Sequence, residues 1–102
     1  MSTRTTDPRP PSPTTDPLAP ARLGPIELRN RVIKSATFEG ATPGALVSRK
    51  LIDFHVAVGA GGVGMTTVAY LAVAPEGRTE RDQIYWRREA LPGLRDLTDA
   101  VH

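Results

Sequence analysis

The sequence predicts a small α/β protein, with a β-hairpin followed by two βα units of a parallel sheet. Short segments rich in β-branched residues alternate with two segments whose apolar residues recur every three or four positions. The last β segment is apolar on both faces, as in parallel strands covered on both sides. The 102 residues suffice for one small domain at most.

The first half of the chain contains the predicted hairpin and the first parallel strand. Gly24-Pro25 is a turn signal between two short apolar pieces, which predicts the hairpin. Residues 31–36 include two β-branched residues and predict the first parallel strand. Residues 38–44 carry two glycines and a proline, which predict a loop.

Two helices and one more strand are predicted in the second half. The first helix has Ser48 as its N-cap and Gly59 as its C-terminal cap. Residues 63–73 predict the second strand, and residues 74–82 a loop. The second helix has Pro92 in its first turn. The apolar face of the first helix is Leu51, Phe54, His55 and Val58.

Gly59, Gly61 and Gly64 fit the G-x-G-x-x-G spacing of dinucleotide-binding sites. In those sites the glycines follow a strand and open a helix, whose N-terminus binds the phosphates. Here they follow a predicted helix, whose C-terminal end has a negative partial charge that repels phosphate. We therefore predict a helix cap at Gly59, a turn at Gly61 and Gly62, and a close approach of two backbones at Gly64.

Composition restricts the function classes. Residues 1–17 hold five of the ten prolines and no large apolar residue after Met1, which predicts a disordered tail before a folded part, 18–102. A net charge of +2 with scattered arginines does not indicate a nucleic-acid partner, and no apolar run approaches the length of a membrane span. Without cysteine there are no disulfides and no thiolate metal ligands. We expect a cytoplasmic protein with no metal site and no nucleic-acid or membrane partner.

Three ordered blocks of sequence resemble the N-terminal part of the Old Yellow Enzyme family, the NADH:flavin oxidoreductases and 2,4-dienoyl-CoA reductases. The blocks are LGPIELRNRVIKSATFEG, GGVGMTTVAYLAVAPEGR and LPGLRDLTDAVH, and the similarity runs from Leu23 to the last residue. The resemblance implies a truncated FMN-binding TIM (β/α)8 barrel. It also implies that reduced flavin, supplied with hydride by NADH or NADPH, passes hydride to an activated alkene such as an α,β-unsaturated carbonyl.

The resemblance places FMN at the carboxyl ends of the first two barrel strands. Many members of the family have Pro where this chain has Ala36, Thr or Cys at Phe38, and Gly or Ala at Tyr70. Contact at Ala36 and Thr37 would therefore be mainly through the backbone, and Tyr70 would cover the flavin edge or narrow the pocket. The implied cofactor-binding residues are Ser35, Ala36, Thr37, Phe38, Ala69 and Tyr70.

The resemblance covers two of the eight barrel strands and implies no catalytic residue in this chain. The family's substrate-binding and proton-donating residues would lie beyond His102, so we expect an N-terminal portion of an oxidoreductase acting on a small molecule. The alternatives are a truncated, inactive remnant and a small interaction module that needs a partner chain. Two parallel strands would leave apolar edges open, and self-association is therefore expected.

Four further residues have ordinary structural interpretations. Glu39 is a candidate acid at the site, but the sequence offers no partner carboxylate or histidine in reach for general acid catalysis, so we expect a solvated loop carboxylate. His55 is expected to pack on the apolar face of its helix. Tyr85 and Trp86 are expected to anchor a long loop to the surface.

Overall fold

The computed structural model describes residues 16–102, so the predicted tail lies outside the described residues except for Asp16 and Pro17. The Asp16 side chain accepts a hydrogen bond from the amide of Leu18 at 2.9 Å. The Pro17 carbonyl accepts a hydrogen bond from the amide of Arg31, also at 2.9 Å. The first bond is local to the turn at Pro17, and the second joins this turn to the segment after the hairpin.

The predicted hairpin is confirmed. Strands β1 (Ala21–Leu23) and β2 (Ile26–Leu28) pair antiparallel, with Ala21 opposite Leu28. Gly24 has a φ of 60° and is followed by Pro25. A glycine with positive φ at the first of two turn residues is what a type II′ turn requires.

A βαβ unit comes after the hairpin and confirms the predicted strand, helix and parallel pairing. Strand β3 (Ile33–Lys34) pairs parallel with β4 (Met65–Thr66), and helix α1 (Arg49–Ala60) connects them. In register, Ile33 lies opposite Met65 and Lys34 opposite Thr66. The carboxyl ends of β3 and β4 therefore meet at the same edge.

The N-cap of α1 is confirmed, but its C-terminal cap is not Gly59. The hydroxyl of Ser48 accepts the amide hydrogen of Leu51 at 3.1 Å. At the other end, Gly59 is still helical and Gly61 is the cap residue. The helix ends there because the next residue, Gly62, has a φ of 109°, the kind of conformation that often comes after a helix.

The predicted strand over 63–73 is two separate strands. After β4 the chain runs unpaired and then forms β5 (Leu71–Ala72), which pairs parallel with β6 (Ile84–Tyr85). The prediction that Tyr85 lies in a loop is therefore wrong. The apolar run is divided because its two parts pair with different strands, a choice that local composition does not encode.

Helix α2 (Leu91–Val101) has Pro92 in its first turn, as predicted, and packs against α1. Neither helix in the described part of the chain has the length and apolar character needed to cross a membrane. The hydrophobic core lies between α1, α2 and β6. Its buried residues are Ala41, Leu51, Ile84, Ala90 and Leu97.

Candidate functional site

The segment Ser35–Phe38, predicted to contact the cofactor, lies directly after the carboxyl end of β3. Ser35, Ala36 and Thr37 are exposed, and Phe38 is half-buried. Among the backbone–backbone hydrogen bonds of residues 16–102 outside helices and strands, none involves these four residues. Apart from the Ser35 carbonyl, which accepts a hydrogen bond from Oγ1 of Thr37 at 3.4 Å, this exposed main chain is open to a ligand.

Phe38 and Tyr70 are brought together from the two predicted stretches. Their rings stack, with 5.4 Å between centroids and 14° between planes. Tyr70 remains 41% exposed, whereas Ala69 is 2% exposed and offers no accessible side chain. The Ala69–Tyr70 peptide bond is cis. The structure thus forms an aromatic pair beside the exposed Ser35–Thr37 backbone.

Glu39 is not a solvated loop carboxylate, contrary to the prediction. Its Oε2 lies 2.9 Å from Nζ of Lys34, and the two side chains are only 11% and 18% exposed. The Lys34 ammonium also lies 5.2 Å from the centroid of the Phe54 ring, at cation–π distance. Glu39 is buried because the chain turns back after Phe38 and returns its side chain to β3.

His55 is fully buried beside this ion pair, which confirms that it packs inside the fold. Its Nδ1 lies 2.7 Å from Oγ1 of Thr66. Its Nε2 lies 4.0 Å from Oε1 of Glu39. Neither of these last two atoms has a hydrogen-bond partner in the described residues. A hydrogen on Nε2 would point towards the carboxylate and let Nδ1 accept the Thr66 hydroxyl hydrogen.

Burial is the main cause that lowers the pKa of His55 below its usual value of 6.5. The nearby Glu39 carboxylate acts in the opposite direction, and Lys34 lowers the pKa further. The imidazole is therefore neutral near pH 7. We call Lys34, Glu39, His55 and Thr66 the polar cluster.

Sequence reasoning missed the polar cluster, although one signal was present. Lys34 comes after Val32 and Ile33 in a short strand and is followed by an acidic residue five positions later. A charged residue in an apolar strand needs a partner when it is buried, and Glu39 is that partner. His55 carried no comparable signal, because Thr66 becomes its neighbour only through the β3–β4 pairing.

The glycine-rich turn is held by side-chain donors, not arranged to hold phosphate. Nη2 of Arg29 donates to the Gly59 carbonyl at 2.7 Å, and Nδ2 of Asn30 donates to the Gly62 carbonyl at 2.6 Å. A Cβ on Gly64 would lie 2.5 Å from the carbonyl oxygen of Asn30. The predicted close backbone approach is confirmed, and the carbonyls at this helix end face side-chain donors.

An open groove of about 600 Å³ lies at the other end of β4, away from Tyr70. It is lined mainly by apolar residues of the hairpin, α1, β4 and α2, including Ile26, Val56, Met65 and Val101. Its one arginine, Arg29, already donates to backbone carbonyls. The groove therefore offers little to an anionic cofactor.

Arg78 and Arg87 lie on the ring of Tyr85, with 4.9 and 4.4 Å from the guanidinium carbon to the ring centroid. Both also donate to backbone carbonyls, Arg78 to Arg81 at 2.7 Å and Arg87 to Gly44 at 3.1 Å. These arginines thus link β6 to neighbouring loops. No group of three His, Asp or Glu side chains in residues 16–102 is arranged to hold a metal ion.

Two relatives have the names of reductases. The chain is 58% identical over 91 residues to the 4,4′-dithiodibutanoate disulfide reductase of Rhodococcus erythropolis, a match that covers 89% of this chain and 23% of that enzyme. It is 34% identical over 87 residues to a metal reductase of Desulforamulus reducens, covering 81% of this chain and 12% of that protein. The chain thus spans less than a quarter of either relative. No family model matches it.

Proposed function

We propose that this chain supplies a flavin-contacting part of an FMN-dependent NAD(P)H oxidoreductase. The observation that carries the proposal is the exposed Ser35–Thr37 backbone beside the stacked Phe38 and Tyr70 rings. The ring system of FMN is flat, with one polar edge and one apolar edge. Exposed backbone amides and carbonyls suit the polar edge, and an aromatic pair suits the apolar one. The similarity to two reductases supports the same class.

The residues would act by binding and by excluding water. FMN, when bound, supplies the ability to take hydride from NADH or NADPH and to pass it to a substrate. Backbone groups of Ser35, Ala36 and Thr37 would bond to the polar edge of the flavin. Tyr70 would cover part of the ring or narrow the substrate pocket, and Phe38, which carries no polar group, would only pack.

Two substrate classes are candidates. The family resemblance favours an activated alkene such as an α,β-unsaturated carbonyl. The 58% identity to a reductase named for 4,4′-dithiodibutanoate favours a small organic disulfide as the second candidate. In that reaction, hydride and one proton break the sulfur–sulfur bond and give two thiols.

The first test is an FMN titration of the purified chain, monitored by flavin fluorescence, with far-UV circular dichroism as a measure of folding. Saturable quenching that is weakened by Tyr70→Ala would support a flavin site at this edge. Trp86→Ala is the control, because Trp86 is an exposed aromatic residue outside the proposed site. Quenching that is unchanged in Tyr70→Ala would remove Tyr70 from the site.

A chimera would test whether this segment serves a reductase, with both substrate classes assayed. Residues 16–102 would replace the matching segment of the Rhodococcus disulfide reductase, and NADH and NADPH oxidation would be measured with 4,4′-dithiodibutanoate and with 2-cyclohexenone. Turnover of either substrate would show that this segment serves a reductase. The proposed function would be contradicted if the parent enzyme contains FMN and the chimera folds but contains none.

A further inference from the structure

The Ser35–Phe38 segment has few hydrogen bonds that fix its position. None of the backbone–backbone hydrogen bonds outside helices and strands in residues 16–102 involves it, and Thr37 Oγ1 bonds only within the segment, to the Ser35 carbonyl at 3.4 Å. Yet the segment is bracketed by two largely buried charges, because Lys34 precedes it and Glu39 comes directly after it. The 2.9 Å ion pair between them closes the segment into a loop.

We propose that the Lys34–Glu39 ion pair, supported by Phe54 and His55, is a positioning device that holds Ser35–Phe38 at the flavin-contacting edge. The reference to flavin rests on the proposed function, whereas the positioning of the segment stands on the geometry alone. Lys34, Glu39 and His55 are positioning residues, because they act on the site through the segment.

The position of each partner supports this role. Lys34 belongs to β3 and lies opposite Thr66 of β4, so its backbone is fixed by the sheet. Thr66 in turn bonds to His55, whose ring faces the carboxylate of Glu39. Glu39 is therefore held by one residue of the sheet, and its second carboxylate oxygen faces one residue of α1. Because Glu39 comes directly after Phe38, the anchored Glu39 side chain restricts where Phe38 can stack on Tyr70.

The energetic cost of the arrangement also argues for a local purpose. Bringing two charges out of water costs several kcal/mol per ion, and apolar replacements of buried pairs are often equally stable. Such a pair is weak evidence for a contribution to stability. A pair that closes a segment with so few backbone hydrogen bonds instead restricts the conformations that the segment can adopt.

Variants of the ion pair test the proposal in the full chain without FMN. Glu39→Gln keeps the shape of the side chain and removes its charge, and Lys34→Arg keeps the charge. Nuclear Overhauser effects between the Phe38 and Tyr70 rings report the position of the segment. Asp53→Asn is the matched control, because it breaks the exposed Arg49–Asp53 pair, whose side chains are 87% and 62% exposed.

We expect Glu39→Gln to lose the ring-to-ring effects while the amide spectrum of α1 and α2 is kept, and Lys34→Arg and Asp53→Asn to retain them. FMN affinity should fall about tenfold or more in Glu39→Gln and stay within about twofold in the two other variants. Ring contacts that persist in Glu39→Gln would overturn the proposal. If Glu39→Gln does not fold, Lys34→Met takes its place. Unfolding of both would assign the pair to general stability and also overturn the positioning role.

The two proposals can fail separately. If the unaltered chain shows the ring-to-ring effects but does not bind FMN, the proposed function fails while the effect of Glu39→Gln still decides the positioning role. If FMN binds equally well to the chain and to a Glu39→Gln variant with unchanged ring contacts, the positioning role fails and the flavin site stands.

Discussion

Asn30 shows how a single buried side chain connects separate parts of this fold. Its Oδ1 accepts the amide hydrogen of Val32 at 3.0 Å, and its Nδ2 donates to the Gly62 carbonyl. The Asn30 backbone also approaches Gly64 so closely that no side chain fits there. The start of β4 is thereby fixed beside β3, which determines where the two strands end.

Two glycines of the same short stretch should respond oppositely to alanine. In Gly64→Ala the new Cβ would lie 2.5 Å from the Asn30 carbonyl oxygen, so we expect a loss of about 1–3 kcal/mol in the free energy of unfolding. Gly59 is helical, and its Cβ would meet only Val101 Cγ1 at 3.9 Å, so Gly59→Ala should stabilise by up to about 1 kcal/mol. Urea denaturation measures both. A tolerated Gly64→Ala would contradict the close approach.

Because His55 is buried, we expect the free energy of unfolding to fall in mild acid. Because the pKa of His55 in the folded chain is lower than its usual 6.5, the unfolded chain binds more protons as pH falls below that value. The stability that the neutral imidazole supports is therefore present above pH 6.5 and lost below it. Urea denaturation between pH 5 and pH 7 measures the free energy of unfolding. This free energy should depend less steeply on pH in His55→Phe than in the unaltered chain.

The control for that experiment is His102→Gln, since His102 is exposed at the end of α2. One histidine can change the free energy of unfolding by at most about 1.4 kcal/mol per pH unit. Identical slopes for the chain and for His55→Phe would show that the imidazole does not titrate on unfolding. Two charged groups face His55, namely Lys34 and Glu39. Both are present in the unaltered chain and in His55→Phe.

At the level of elements, helix α1 is fixed at its start by Ser48. The hydroxyl accepts from the Leu51 amide at 3.1 Å and donates to the Ala41 carbonyl at 2.5 Å, so it joins the helix to the preceding loop. That loop leads back to Glu39. The cap therefore connects the start of α1 with the chain that leaves the polar cluster.

Ser48→Ala should cost about 1–2 kcal/mol of the free energy of unfolding, since the Leu51 amide and the Ala41 carbonyl would both lose a partner. Thr98→Ala is the control, because Thr98 is an exposed residue of α2 whose hydroxyl bonds within its own helix. Thr98→Ala should alter the free energy of unfolding by no more than about 0.5 kcal/mol. Thermal and urea denaturation give both values, and equal losses in the two variants would contradict the role of the cap.

Helices and strands differed in how well the sequence predicted them. Apolar residues spaced three or four positions apart, with Ser48 and Pro92 as start signals, placed both helices correctly. The strands of residues 16–102 have two or three residues each, too short for a periodic pattern to develop. Ile84 and Tyr85 form a strand only because Leu71 and Ala72 lie beside them.

At the level of the whole molecule, residues 16–102 form three separate two-stranded sheets. Each therefore has strand edges without a further strand in the described part of the chain. Several large apolar residues near β5 and β6 are exposed, including Val73 at 88% and Trp86 at 58%. Open edges beside exposed apolar residues favour pairing with another chain.

We expect the isolated chain to self-associate in a concentration-dependent way, and Val73→Lys to weaken the association. A lysine beside β5 places a charge where strands would otherwise meet. Thr98→Lys adds the same charge on the exposed face of α2 and is the control. Sedimentation velocity over a hundredfold concentration range measures the effect. A chain that stays monomeric throughout, or equal association of both variants, would contradict an interface at this edge.

The sequence by itself determined the hairpin, both helices, the β3–α1–β4 connection and the close backbone approach at Gly64. These features depend on local signals, namely turn residues, caps and the spacing of apolar side chains. Only the tertiary structure decided that Phe38 stacks on Tyr70, that Glu39 is buried against Lys34 and His55, and that residues 63–73 divide between two sheets. Apart from the Lys34–Glu39 pair, whose partners are five residues apart, each of these joins residues that are distant in sequence or depends on which strand lies alongside, and no local pattern specifies such neighbours.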